Sequence, residues 1–475
     1  MKSGQIPSFM LAVISLLLFG ALAPNTTAAG DVIKVSVLAN ESPTSVTLTS
    51  DGDLLLFAGS FDQPMTSLSR DETAVVSLSD GQLYVVAGDV RLFAEELRVR
   101  GRGGVQLSAR SGQLERTFPG ELWIRAAADH LVLENAVDLE AYVASVVTNE
   151  YGFDDLEGSK AMAVAARTYA LYRLMEGELG DDTGFQVYTG DSRTSSVARR
   201  AVEATRGEIL TFDGRIAAAV YSASSGGVTA NNEDVWRGAA LPYLRSKDDP
   251  FDLSSPHRSW TASLDRGRVL RALSREVGMT VSGFISGDRG PDGRVNSIEL
   301  LSTSGPRQEI SSNRFRLAVN AEFGANGLKS TNFDARRDGD NYIFEGAGYG
   351  HGVGLSQWGA RQMAQEGHSY RDILAFYYDG VALASHRDGE VVGRPEVLRG
   401  AHIAANRIEE PAATVEAEPE VRPEPQPEAT ASREVTNTRS TRSADRKEAV
   451  KTERTPAGGW SRQPAQAKPI GRIGW

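Results

Sequence analysis

Glu150 stands at the end of an apolar, β-branched run, SVVTNEYG (145–152), with a turn signal at Gly152 directly behind it. A lone carboxylate in that place admits three readings: a solvated loop charge, a charge that favours a helix start, or an acid placed for chemistry. The third has a physical requirement. A general acid needs its carboxyl against apolar walls, so that its pKa rises toward neutrality. Val146, Val147, Tyr151 and Phe153 are the candidate walls.

Three further stretches carry residue types suited to recognition, and each also has an ordinary reading. TGFQVYTGD (183–191) puts Gln186 and Tyr188 on one face if it is extended. A polar–aromatic pair suits stacking and hydrogen bonding to a sugar; it also suits a half-buried strand. AVYSASSGGVTANNEDVWRG (219–238) runs from a strand through Ser222 and Ser225 to Gly226, Gly227 and Thr229. Such a loop lets a ligand approach the backbone closely, or is a plain Ser/Gly turn. Ser222 has no neighbouring His or Asp in sequence to activate it, which weighs against a serine hydrolase. GAGYGHGVGLSQWGA (346–360) alternates glycine through Gly350 and Gly352 to Gly354, with His351 at its centre and Gln357 at its end. That density permits unusual φ values and presents successive N–H groups before a helix. No GK[ST] follows, and no parallel βαβ context surrounds it, so phosphate-loop and dinucleotide readings are disfavoured. The other histidines show no ligand spacing. The expectation is therefore no metal and no cofactor.

The elements that must position these residues fall into blocks. From 31 to 133, eight runs (DVIKVSVL, SVTLTS, LLLFAG, AVVSLS, QLYVVAG, ELRVRG, ELWIRA, HLVLEN) recur about every ten residues between Gly, Asp, Asn and Ser, which predicts antiparallel strands. Leu139, Tyr142, Val143, Val146 and Val147 have helical spacing. LEGSKAMAVAARTYALYRLME then predicts an alanine-rich helix, capped by Asp154 or Asp155, with Arg167 off its apolar stripe. Short strands (EILTF, IAAAVYSAS, VNSIELLST) and a helix near RVLRALSREV follow, and helices after Ser356 and at HSYRDILAFYYDG close the core. The expected fold is α+β: a β-rich part over 30–133, a mixed helix/strand core over 134–385 forming a cleft, and a disordered tail over 400–475, first Pro/Glu-rich and then basic.

The termini and composition narrow the setting. Lys2, the apolar run 9–23 and TTAA at 26–29 read as an export signal over 1–29. The chain contains no cysteine, so it has no disulfide framework, no thiolate nucleophile and no lipid-acceptor cysteine. The expected location is the periplasm or cell wall. A net charge of −11 argues against nucleic acid as the main partner.

Taken together and in this order, "YVASVVTNE…SKAMAVAARTYAL", "FQVYTG", "ATRGEILTFDG", "YSASSGGVTANNEDVW…LPYLRSKDDP" and "GAGYGHGVGLSQWGARQMAQEG…ILAFYYDG" resemble the SpoIID/LytB family, the sporulation stage II protein D type. The resemblance covers roughly 30–385. It implies a peptidoglycan role: a lytic transglycosylase on glycan strands stripped of stem peptides or, alternatively, a noncatalytic glycan binder or enhancer of a cell-wall amidase or other wall hydrolase. It places the catalytic glutamate on Glu150. By motif membership and residue type, Arg167, Gln186, Tyr188, Ser222, Ser225, Gly226, Gly227, Thr229, Gly350, His351, Gly352 and Gln357 are expected to line the sugar cleft. Two departures stand out. The family's Met-Pro after the glutamate is Tyr151-Gly152 here. Some members bind zinc through a His and two Cys around the Ser-Gly-Gly loop, which is impossible here, so hydrogen bonds and packing must hold that loop.

Overall fold

Alternating apolar residues drive residues 32–138 into strands, most of which bury about one side chain in two. A computed structural model describes residues 31–398 apart from Thr183, Ser192, Ser304, Ala325, Asn326, Asp388 and Gly389. The expected export signal and tail lie outside the described residues. Twelve strands come first: β1 (Val32–Val37), β2 (Ser45–Thr49), β3 (Leu54–Ala58), β4 (Thr66–Leu68), β5 (Ala74–Ser79), β6 (Gln82–Ala87), β7 (Val90–Ala94), β8 (Glu96–Gly101), β9 (Val105–Ala109), β10 (Leu114–Phe118), β11 (Glu121–Ala126) and β12 (Leu131–Asp138). They form two six-stranded antiparallel sheets, ordered β1-β12-β11-β8-β3-β4 and β10-β9-β2-β5-β6-β7. The eight runs expected as strands all are strands. Four short strands (β4, β7, β9 and β10) complete the sheets.

Asp138 ends β12 and caps the first helix, α1 (Leu139–Glu150), accepting from the Glu140 and Ala141 N–H groups at 3.0 and 3.1 Å. Asp155 caps α2 (Leu156–Glu176) through the Gly158 N–H at 2.8 Å. Each such cap is worth about 0.5–2 kcal/mol. The alanines of α2 are fully buried, because this helix threads the centre of the core, between α1, α3 (Ser196–Ala204) and the strand β13 (Glu208–Phe212). The buried faces of both sheets and these helices belong to one hydrophobic cluster.

A second cluster is built by residues 260–346. After β14 (Arg215–Ile216), β15 (Tyr221–Ser222) and α4 (Asn232–Trp236), they contain β16 (Trp260–Asp265), α5 (Arg266–Val277), β17 (Val281–Ser286), β18 (Ser297–Ser302), β19 (Gln308–Ser311), α6 (Ser312–Phe323), β20 (Phe333–Asp338) and β21 (Asn341–Gly346), with Phe315, Phe333 and Phe344 at their centre. The chain then returns to the first cluster. Leu355 and Ser356 pair in parallel with Tyr221 and Ser222, and α7 (Gln357–Gln365) and α8 (Tyr370–Tyr377) follow. The Gly-rich stretch is this returning segment. The result is an α+β fold. Two expected strands differ. IAAAVYSAS pairs at Ile216, Tyr221 and Ser222 and by a single bridge from Ser224 to Tyr349, and among its described residues TGFQVYTGD makes no ladder beyond a bridge from Gly190 to Thr117. The Val187 N–H in that stretch bonds a side chain instead.

Candidate active site

Glu150 is the last residue of α1, not a loop residue. The helical spacing of Tyr142, Val143, Val146 and Val147 turns the carboxyl inward with them, and Glu150 is 2% exposed. The Val187 N–H donates to Oε1 at 2.8 Å. The Gln357 amide approaches closely enough to favour the charged form. It does not complete a well-formed hydrogen bond: Glu150 Oε2 and Gln357 Nε2 are both buried without a partner. Loss of hydration outweighs these contacts and pushes the Glu150 carboxyl up to about 7. No other acid contributes to that shift.

Three tyrosines surround the carboxyl electrostatically. Burial raises the phenols of Tyr142, Tyr169 and Tyr221, and the charge of Glu150 adds to each shift. Gln186 ties two of them together, accepting from the Tyr142 hydroxyl at 3.0 Å and donating to the Tyr221 hydroxyl at 2.7 Å. It is fully buried, so it orders the surroundings of the acid. Tyr188, two residues on and on the same side, packs at a tilt against Tyr142 at 4.9 Å and donates to Asn135 at 2.6 Å within the core.

The turn after the acid has its own solution. The Gly152 N–H bonds the Val147 carbonyl at 3.1 Å, and its φ of +64° is the left-handed helix end that glycine favours. Tyr151 folds back, donating to both Asp155 oxygens at 3.0 Å. A Cβ at Gly158 would sit 1.8 Å from the Tyr151 hydroxyl, so glycine there makes room for the ring. From Tyr151, an edge-to-face chain of rings runs through Phe153 to Trp358, at 4.9 and 5.0 Å. It ties this turn to the helix that carries Gln357.

The two glycine-bearing loops are clamped together by a buried acid pair. Asp252 accepts from the Ser224 hydroxyl (2.7 Å), the Gly226 N–H (2.7 Å) and the Ser356 hydroxyl (2.6 Å). Asp249 accepts from the Ser225 and Tyr377 hydroxyls at 2.8 and 3.1 Å. Burial raises both acids, and the charge of Asp252 helps push Asp249 up to about 7. The loop is thus held by hydrogen bonds and packing, as the absence of cysteine required. Among the described residues, no three His, Asp or Glu side chains converge to hold a metal.

Several residues expected to line the cleft serve this scaffold. The Ser222 hydroxyl accepts from the Gly352 N–H at 3.2 Å, that of Ser225 from the Gly227 N–H at 3.2 Å, and that of Thr229 from the Lys247 N–H at 3.0 Å. Gly350 donates to the Lys329 carbonyl at 2.9 Å. Gly348, Gly350, Gly352 and Gly354 all have φ between +71° and +96°, which accounts for the alternation. Arg167 is 0% exposed and lies in no cleft. It forks onto Glu140 at 3.0 and 2.5 Å and bonds the Glu208 carbonyl at 2.9 Å. Its side of α2 faces α1 and β13, which the helical pattern alone could not specify.

His351 does face a cavity, of about 710 Å³. Its wall also carries Tyr169, Tyr221, Trp236, Arg173 and Arg316. The imidazole packs against Trp236 in a tilted arrangement at 4.9 Å, and Nδ1 accepts from the Val353 N–H at 3.0 Å. Burial, with Arg316 and Arg294 nearby, drops its pKa to about 3, so it is neutral. Glu150 is not itself on this wall; it is coupled to the cavity through Tyr169 and Tyr221. Asp249, Asp252, Arg173 and Arg316 were not singled out from the sequence. The two aspartates lie in or just after the LPYLRSKDDP motif. Arg316 lies on a helix of unremarkable pattern and carried no signal.

Residues 128–212, which contain Glu150, match the family model described as Stage II sporulation protein. The chain is 33% identical to stage II sporulation protein D of Bacillus subtilis over 271 residues, covering 52% of this chain and 75% of that protein. It is 32% identical over 277 residues to an amidase enhancer of the same organism, covering 49% of this chain and 38% of that protein. A protein of Brachyspira hyodysenteriae with no assigned function is 28% identical over 376 residues, covering 77% of this chain and 96% of that protein.

Proposed function

We propose that this chain, which belongs to the SpoIID/LytB family, acts in the cell wall as a lytic transglycosylase, with Glu150 as its acid and base. The observation that carries this is the state of the carboxyl: buried, held near neutral pKa, with one oxygen anchored by the Val187 N–H and the other uncommitted. A group titrating near 7 supplies both protonation states at neutral pH. Protonated Glu150 donates to the glycosidic oxygen as the bond to the N-acetylmuramic acid (MurNAc) anomeric carbon breaks. The resulting carboxylate then takes the proton of the C6 hydroxyl as O6 closes on that carbon. The proton returns to Glu150, no water is consumed, and the product is a 1,6-anhydro sugar. One carboxyl serves both steps, where hydrolytic glycosidases position two.

The test is digestion of glycan strands lacking stem peptides, with mass spectrometry for anhydro ends. The wild type is expected to release them, and Glu150→Gln to lose about 10²–10⁴-fold in rate. No anhydro product from the wild type, or undiminished product from the variant, overturns the assignment. One observation favours a second reading, a noncleaving glycan binder or amidase enhancer: the carboxyl is 2% exposed and off the cavity wall. That reading expects strand binding in a sedimentation assay, unchanged in Glu150→Gln, with no cleavage.

A further inference from the structure

The cavity beside the tyrosines has an unbalanced charge. Two helices line it with side chains three and four residues apart: Tyr169, Tyr172 and Arg173 from α2, and Asn313, Arg316 and Leu317 from α6. Each helix thus turns one face, with its arginine, to the cavity. Among the described residues, no Asp or Glu lies on the wall. Arg316 is 4% exposed, yet among the described residues it forms no ion pair. Its hydrogen bonds go to neutral oxygens at 3.1–3.3 Å, on the Asn313 side chain and the Lys329 backbone. Burying a cation without a counter-charge is costly. Arg167 and Arg294, likewise buried, have Glu140 and Asp292 as partners. Arg173 is half-buried, its Nε has no hydrogen-bond partner, and its guanidinium lies over the Phe185 ring. With no acid on the wall, an occupant is the natural source of the opposite charge.

The rest of the wall sets the form of that occupant. Trp236 is 45% exposed and backed by His351 at 4.9 Å, so it presents a braced aromatic face. A volume of about 710 Å³ is on the scale of a small ligand, so it admits a short stretch of chain. Helices and loops build the wall, and its strand residue, Tyr221, already pairs with Leu355. An incoming chain therefore finds no open strand edge and must be held through its side chains. A polyproline II stretch meets these conditions. Its backbone makes no internal hydrogen bonds and stays solvated, its rings dock on aromatic surfaces, and residues three apart share a face about 9 Å apart. A carboxylate one turn from a proline can then fork onto an arginine while the ring meets Trp236. The pattern E-x-x-P has that spacing. It occurs three times in succession in this chain, as EAEP, EVRP and EPQP over 416–427, outside the described residues.

We propose that this cavity is a docking site for an acidic, proline-rich segment of a partner protein, of the E-x-x-P type, with Trp236 receiving the proline ring and Arg316 and Arg173 the carboxylates. The proposal goes beyond the transglycosylase reading and does not rest on it. Charge complementarity selects the occupant: a neutral proline-rich segment leaves both guanidiniums unpaired. An acidic segment without proline must lose more backbone freedom to lie extended along the wall. Docking is coupled to the acid, because Tyr169 and Tyr221 line the cavity and feel the charge of Glu150.

The probe is a fluorescent peptide with the sequence of residues 416–427, titrated by anisotropy against the purified full chain. The wild type is expected to bind it, and to bind a peptide with glutamine at all its glutamate positions about tenfold or more weakly, the scale of a lost charge-assisted hydrogen bond. A peptide with alanine in place of Pro419, Pro423 and Pro427 is expected to bind about two- to fivefold or more weakly. Arg173→Gln and Trp236→Ala, at partly exposed sites that tolerate change, are each expected to weaken the parent peptide about tenfold, with circular dichroism checking the fold. Arg316→Gln is expected to weaken it further; if that variant does not fold, the other two decide. No binding by the wild type, equal binding of the glutamate and glutamine peptides, or undiminished binding in Arg173→Gln and Trp236→Ala overturns the site. A full chain with Glu416→Gln, Glu418→Gln, Glu420→Gln and Glu424→Gln is run beside the wild type. Equal affinity supports a partner as occupant; binding by that variant alone makes the chain's own segment the competitor and overturns the partner. Glycan-strand binding that Arg173→Gln and Trp236→Ala abolish, with no peptide binding, overturns the proposal and leaves the glycan reading standing.

Discussion

Replacing Glu150 by glutamine should change stability in a pH-dependent way. The folded protein holds this carboxyl near 7, against an ordinary value of 4.5. A raised acid pKa means that the folded state prefers the neutral form. Its contribution is fully present below about pH 4.5, is lost as pH rises toward 7, and is gone above. The shift corresponds to about 3 kcal/mol across that window. Glutamine does not titrate, and its amide oxygen can still accept from the Val187 N–H. The difference in unfolding free energy, variant minus wild type, should therefore rise by about 3 kcal/mol between roughly pH 4 and pH 8. Urea melts of both proteins at half-unit pH steps measure it, through midpoints at matched slopes. A difference that stays flat, or that moves in favour of the wild type with rising pH, would refute the claim that Glu150 is buried and near neutral. It would also remove the physical ground for its use as an acid. A stability gain at high pH together with loss of cleavage would show a functional group held at a cost to the fold.

Two further outcomes follow from the scaffold around the acid. Gly152→Ala places a side chain at φ +64° and should cost about 1–2 kcal/mol. Gly152→Pro should cost more, because it cannot adopt that φ and removes the N–H bonded to Val147; thermal melts rank the two. Arg167→Gln leaves Glu140 without its partner and should cost about 3–5 kcal/mol of stability, part of which returns in the Arg167→Gln, Glu140→Gln double variant. In folded protein its strand affinity should match the wild type, which a binding titration checks.

Period and punctuation made much of the fold legible. Alternation marked eight strands, and helical spacing marked the helix bearing Glu150. The caps Asp155 and Ser356 stood where capping residues should. Legibility failed where partners are distant in sequence. β4 has only three residues, and β7 is so close to β6 and β8 that it does not stand apart from them. Glu150 looked like a junction charge because its burial depends on Val187 and Gln357, which arrive from elsewhere in the chain. Arg167 looked available because α2 is buried nearly all round, and a stripe of small residues does not say which side meets an acid. Arg316 was invisible because its place on the cavity wall beside His351 depends on packing between segments far apart in sequence.

The Ser-Gly-Gly loop and the Gly-rich loop each looked like a ligand cradle by itself, yet most of their polar groups bind the chain. Asp252 alone holds the hydroxyls of Ser224 and Ser356, one from each loop. A Cβ at Gly226 would lie 2.8 Å from the Gly348 nitrogen, so the two backbones touch. Density of serine and glycine therefore signals close backbone approach, and here the approaching group is the other loop. The consequence for function is indirect but strong. Ser356 also caps α7 through the Gly359 N–H at 3.2 Å, and the next residue is Gln357, which faces Glu150. The acid pair thus fixes the start of the helix that sets the second contact of the acid, while Gly352 and Ser222 hold His351 to the cavity wall. Residues expected to touch sugar instead position the few that face the acid and the cavity, so substitutions among them should act on the geometry of Glu150 and His351 rather than on contact with the strand.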